Sequence, residues 1–295
     1  PMAIAAPIIF AVIFVVGVLG NGTLIFTVLR NKPMQNTPNI LIVSLAMGDL
    51  LLILISVPFT ATIYTFYEWP YGQSMCKMNE FLQTLSLGVS VFTLTALSGD
   101  RFVAIVYPMR MHRGSPKLRT ILISTGIWLL ATGLALLDLM GAHTVSNADI
   151  EFCNLFPEHW GNWYPKFQSM FRFLVYFAIP MVIIAGFYTS MAYILWNSGR
   201  RMPGEAQRIM GGAKKTSTSK QIEGRKKVAK LILSFIVVFV VCWLPRHIYT
   251  IWYHYLPGDY NMFWHVFKII GFCLCFTNSC INPVALYFLS QQFRK

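Results

Sequence analysis

The sequence predicts an all-α membrane protein, a bundle of seven membrane-spanning helices, on three observations. The 295-residue chain is 56% hydrophobic and only 12% charged, where a soluble domain carries about a quarter charged residues. Its mean hydropathy of +0.56 means that its apolar surface needs a solvent other than water. A spanning helix needs roughly 20 mostly apolar residues. Seven stretches qualify: 4–29, 38–66, 74–106, 119–140, 167–196, 228–255 and 262–289. The third and seventh are the least apolar, as expected of helices that face a bundle interior rather than lipid. The first stretch begins almost at Pro1, without a signal peptide, and the last ends close to Lys295. Residues 1–295 therefore read as one seven-span domain whose two tails are trimmed from a longer protein.

Orientation follows from the basic residues, because Lys and Arg in short loops stay on the cytoplasmic side. Arg30 and Lys32 occupy the first linker; Arg110, Arg113, Lys117 and Arg119 occupy the third. The fifth linker contains a basic third cytoplasmic loop at 200–220, and Arg294 and Lys295 close the chain. The opposite loops carry Glu68, Asp149, Glu151, Glu158 and Asp259. This asymmetry places the N-terminus outside and the C-terminus inside a multi-pass plasma-membrane protein. The net charge of +13 is then a topology signal, with attraction for anionic membrane lipid. Nucleic-acid binding is the poorer reading, since that charge is divided among loops.

Cysteines and prolines come next. Cys242, Cys273, Cys275 and Cys280 lie in apolar stretches, where a thiol is a small hydrophobe. Cys76 opens the third stretch on the outer side, and Cys153 lies in the long outer loop before the fifth. Both occupy the oxidising compartment and so are candidate disulfide partners, the alternative being two unrelated thiols. Pro58, Pro180, Pro245 and Pro283 each fall inside a span, where a missing backbone donor kinks the axis. In a moving bundle such kinks are hinges.

Buried polar residues carry the chemistry. Asp49 sits within "SLAMGDLLLIL", where a carboxylate is expensive without a partner. Asn21, Ser86, Ser90, Asn278, Ser279 and Asn282 lie at matching depth. An oxygen-lined pocket around one carboxylate suits a hard cation; a protonated Asp in a hydrogen-bond network is the alternative. Asp100 and Arg101 end the long apolar run "SLGVSVFTLTALSG", at the cytoplasmic mouth of the third span.

Several motifs together resemble one family. "GN" at Gly20–Asn21, "LAMGD" ending at Asp49, Asp100–Arg101, Trp128, Pro180, "CWLP" at Cys242–Pro245 and "NP" at Asn282–Pro283 are similar to the rhodopsin-like (class A) G-protein-coupled receptors. The resemblance covers essentially the whole chain. "GVSVFTLTALS" and "FTNSCINPVALYFLSQQFRK" resemble the bombesin-receptor-like peptide receptors. "VIFVVGVLGNGTLI", "WPYG" and "YNMFWHV" resemble the arthropod CCHamide neuropeptide receptors of that group. The resemblance implies a short cytoplasmic helix eight, an extracellular amidated peptide agonist, and coupling to heterotrimeric G proteins with a Gq-type calcium response. Arrestin is a further implied partner. No cofactor is implied beyond an allosteric sodium ion at Asp49, Ser90, Asn278 and Ser279.

The resemblance also assigns roles. Asp100 restrains Arg101 in the inactive state, the alternative being a solvated helix end, and Tyr188 reaches toward Arg101 on activation. Pro180, Val91 and Phe239 form a packing relay beneath Trp243, with Pro245 as the hinge; ordinary aromatic core is the rival reading. Asn282, Pro283 and Tyr287 belong to the inner switch. Gln83 lies about five helical turns outward of Arg101 on the same face, so it points into an upper cavity with Glu80, Arg172, Trp243, Arg246, His247 and Phe272. Glu80 is the candidate internal partner for one of the two arginines, leaving the other for ligand. Two departures stand out: Phe102 replaces the usual Tyr after Asp-Arg, and Leu286 occupies the usual Tyr position with Tyr287 following.

Other classes fit less well. A retinal protein needs a deep Lys in the seventh span, where Phe276 stands, and Lys268 lies too far outward. An intramembrane aspartyl protease needs two Asp at one depth, whereas Asp49 and Asp100 differ. A transporter tends to show paired broken helices from an internal repeat; none is visible, which leaves transporter or channel as the alternative to a receptor. The sequon at Asn21–Thr23 lies inside the first span, out of reach of glycosylation.

Overall fold

The computed structural model describes residues 2–66, 69–107, 115–147, 150–201, 212–256 and 258–289. Among the described residues seven helices are long and apolar enough to cross a membrane: Pro7–Arg30, Thr37–Ile63, Gly72–Val106, Pro116–Gly141, Tyr164–Ile194, Lys226–Tyr255 and Met262–Phe288. They match the seven predicted stretches in order. The sixth helix begins at Gly212 and the fifth runs to Arg201. Much of the basic segment 200–220 is therefore helical extension, with 202–211 outside the described residues. The predicted helix eight, Glu68, Arg110, Arg113, Asp149, Arg294 and Lys295 also lie outside them.

Local chemistry starts the helices. Asn36 caps the second helix, its side chain accepting from the Asn39 N–H at 3.1 Å, and Ser115 caps the fourth. Both helices have a proline in their first turn, where its missing N–H leaves no bond unmade.

The four prolines act in two ways. Pro58 follows a π-helical turn at Leu52–Ser56, and Pro180 one at Leu174–Ala178. A π turn widens the helix by one residue, which clears the carbonyl that a proline ring would strike. Pro245 and Pro283 instead sit inside uninterrupted helices, each facing a glycine. A Cβ on Gly271 would come within 3.2 Å of the Arg246 nitrogen, and one on Gly20 within 3.1 Å of the Pro283 ring. Those two prolines thus mark close approaches of the sixth to the seventh helix and of the first to the seventh.

At one end of the bundle a hairpin, β1 (His143–Asn147) and β2 (Ile150–Asn154), pairs Thr144 with Cys153. Cys153 is disulfide-bonded to Cys76, as its compartment predicts. Trp69 of "WPYG" locks the same corner: its N–H donates to the Glu151 carbonyl at 2.7 Å and its indole to the Gly72 carbonyl at 2.8 Å. The ring is buried against Phe59 and Tyr71. The main core lies below, around Phe235, Phe239, Leu94, Leu97 and Tyr176.

Candidate functional site

Beneath the hairpin the helices part around a cavity of about 580 Å³. Six of the seven predicted ligand residues line it: Gln83, Arg172, Trp243, Arg246, His247 and Phe272. Thr84, Asn154, Tyr253, His254 and Lys268 join them. Glu80 does not line it; it accepts a long hydrogen bond from the Asn79 amide at 3.4 Å.

The arginines have different environments. Arg172 pairs with Asp138 of the fourth helix at 2.7 Å and donates to Thr84 of the third at 2.9 Å. Gln168 donates to the other Asp138 oxygen at 2.9 Å. This corrects the expectation for Glu80: it acts on Arg172 through space, but the ion pair belongs to Asp138. The signal was available, since Asp138 in "LALLDLMG" is a lone carboxylate in an apolar run, the same argument that singled out Asp49. Arg246 stacks over the Phe272 ring at 4.2 Å.

The cavity floor leads into an aromatic column. His247 packs on Trp243 with centroids 6.4 Å apart, Trp243 on Phe239 at 6.0 Å, and Phe239 on Phe177 at 6.3 Å. Phe239 is fully buried, with Val91 and Pro180 also in the interior. The Trp243 indole nitrogen and His247 Nε2 are buried without a hydrogen-bond partner.

Lower in the bundle Asp49 accepts from the Asn282 amide at 2.9 Å, with Ser279 beside it. The Asn21 amide donates to the Ser279 carbonyl at 2.8 Å. Ser90 and Asn278 are buried too, and the Ser90 hydroxyl and Asn21 Oδ1 have no partner. Gly48 packs closely on Val89, which brings the neighbouring Asp49 and Ser90 to one level. A carboxyl group and orphaned neutral oxygens together form a donor set that fits a small hard cation.

At the end remote from the disulfide, Arg101 pairs with Asp100, the Arg101 side chain being 8% exposed. The Tyr188 hydroxyl donates to the Ala229 carbonyl at 2.9 Å, tying the fifth helix to the sixth. Phe102 packs on Phe187 at 5.2 Å. Tyr287 stands apart from the predicted switch: it is 55% exposed, while Leu286 is 1% exposed. A shift of one residue turns a side chain about 100° around the helix, so the ring points away from the core toward the first helix.

Seven spans, a disulfide-covered cavity, a carboxylate network and an Asp-Arg pair define a seven-helix membrane receptor. Residues 20–287 match the 7 transmembrane receptor (rhodopsin family), and the chain belongs to that family. It is 46% identical over 307 aligned residues to the Neuropeptide CCHamide-1 receptor of Drosophila melanogaster. That alignment covers 100% of this chain and 60% of the fly receptor, so the chain spans about 60% of that relative's length.

Proposed function

We propose that this chain is the seven-helix domain of a plasma-membrane receptor for an amidated, CCHamide-like neuropeptide, with its N-terminus outside. The observation that carries the reading is the cavity, a largely apolar hollow with a few convergent polar and basic groups, which opens beneath the hairpin and whose floor, Trp243, is stacked on the Phe239 column. The 46% identity to a CCHamide-1 receptor supports the peptide class.

In this reading Gln83, Arg246, His247 and Phe272 meet the peptide, while Arg172 shapes the wall and Glu80 tunes the field behind it. Pressure on Trp243 passes to Phe239, and the sixth helix swings about Pro245. Arg101 then leaves Asp100 and meets a heterotrimeric G protein of the Gq type, Tyr188 releasing Ala229 to follow it. Asn282 and Pro283 carry the same motion into the seventh helix. Asp49, Ser90, Asn278 and Ser279 hold a sodium ion that favours the resting state. Arrestin would use the same inner face as the G protein.

Calcium mobilisation by synthetic CCHamide-1 in cells expressing the chain, abolished by a Gq inhibitor, is the expected result. Peptide-gated ion flux that survives Gq inhibition would instead indicate a channel or transporter.

A further inference from the structure

Resting on the peptide-receptor reading, we propose that Arg246 and Lys268 form an anion subsite in the cavity, and that it takes a carboxylate of the peptide. Three cations line the cavity: Arg172, Arg246 and Lys268. Arg172 is neutralised by Asp138 at 2.7 Å. Among the described residues neither Arg246 nor Lys268 has a carboxylate oxygen within 4.0 Å, and no Asp or Glu lines the cavity. Glu80 reaches Arg246 only through space.

The Phe272 ring offers Arg246 a π face at 4.2 Å. A π face attracts the charge but accepts none of the in-plane guanidinium N–H donors. Lys268 stands four residues, about one turn, before Phe272 on the seventh helix, so it shares a face with the ring under Arg246, and two cations in a partly dry cavity repel unless an anion joins them. Guanidinium, ammonium and the unpartnered Trp243 indole are all pure donors. Their complement is a charged group with acceptors only, and a carboxylate has two oxygens to bridge a guanidinium and an ammonium. An amidated peptide has no C-terminal carboxylate, so the source is an acidic side chain.

The test uses the full chain in cells, read by calcium response at matched surface expression. Synthetic CCHamide-1 is supplied as the amide, as the free acid, and with each Asp or Glu replaced by Asn or Gln. Arg246→Gln and Lys268→Gln should each weaken potency about tenfold or more, and Lys268→Arg should return it to within about threefold of the parent. One neutralised peptide position should weaken the parent but add little on Lys268→Gln, the coupling expected of a direct pair. That acidic residue is then the source; a free acid that gains on the parent and not on the mutant would keep the subsite but count against an amidated ligand. Equal losses on parent and mutant for every neutralised peptide would overturn the subsite.

Silence of the parent toward CCHamide-1 would count against the peptide assignment, and the subsite is then judged separately. Purified receptor is melted with millimolar N-acetyl-glutamate amide or N-acetyl-glutamine amide. A ligand that binds the folded state raises the melting point. The acid should raise it in the parent and not in Arg246→Gln; identical shifts by both compounds would overturn the proposal.

Discussion

Among the described residues two ion pairs hold arginines, one partly open to water and one buried, and they differ in where the carboxylate comes from. Arg101 takes its partner from the adjacent residue, Asp100, on one helix. Arg172 takes Asp138 from another helix and Thr84 from a third. The first pair sets a side chain's direction and can open without moving a helix. The second joins the third, fourth and fifth helices around the cavity. Local pairing suits a switch; cross-helix pairing suits a wall.

That contrast breaks most visibly at Asp138. Removing one partner of a buried pair leaves an uncompensated charge, at about 3–5 kcal/mol. Asp138→Asn should therefore lower the melting temperature of purified receptor sharply and reduce surface expression, while Asp138→Leu with Arg172→Met should recover most of the loss. A parent-like melting curve for Asp138→Asn would mean that the pair does not hold the wall.

Smaller effects belong to the cavity itself. Truncating an arginine that grips a ligand typically removes about 2–4 kcal/mol. Arg246→Ala and Gln83→Ala should each shift peptide potency at least about tenfold, with surface expression kept. If both respond like the parent, the peptide does not reach this depth.

The carboxylate network comes next. If Asp49 holds sodium as proposed, the ion and an agonist at the cavity should oppose each other by linkage, with an expected coupling of about fivefold or more. Radioligand binding in sodium against a bulky organic cation measures it; equal agonist affinity in the two buffers would remove the ion from the mechanism.

The smallest stability effect falls on the local pair. The Asp100 side chain is 22% exposed, and pairs reached by water contribute about 0–1 kcal/mol. Asp100→Asn should leave the melting temperature nearly unchanged yet raise basal signalling. Flat basal signalling at equal expression would refute the restraint.

Whatever depends on position along one helix, or on which end of the bundle a loop joins, was legible in the residues alone. Apolar run lengths define the seven spans, and Cys76 and Cys153 were legible as a pair because both fall at the same end of the bundle, where the disulfide joins them. Asp100 and Arg101 are neighbours in any fold. Six of seven expected cavity residues are brought together because depth along a helix can be counted at 1.5 Å per residue. The tertiary structure alone decided matters of rotation and reach. It gave Arg172 to Asp138 rather than Glu80, placed Lys268 in the same cavity as Arg246, widened the helix before Pro58 and Pro180 but not before Pro245, and turned Tyr287 outward. The physical reason is that helical periodicity tells which residues share a face, but not how that face is turned toward its neighbours. That angle is settled by close packing, such as Gly271 against the Arg246 backbone and Gly20 against Pro283, and a buried charge takes whichever partner the packing brings within reach.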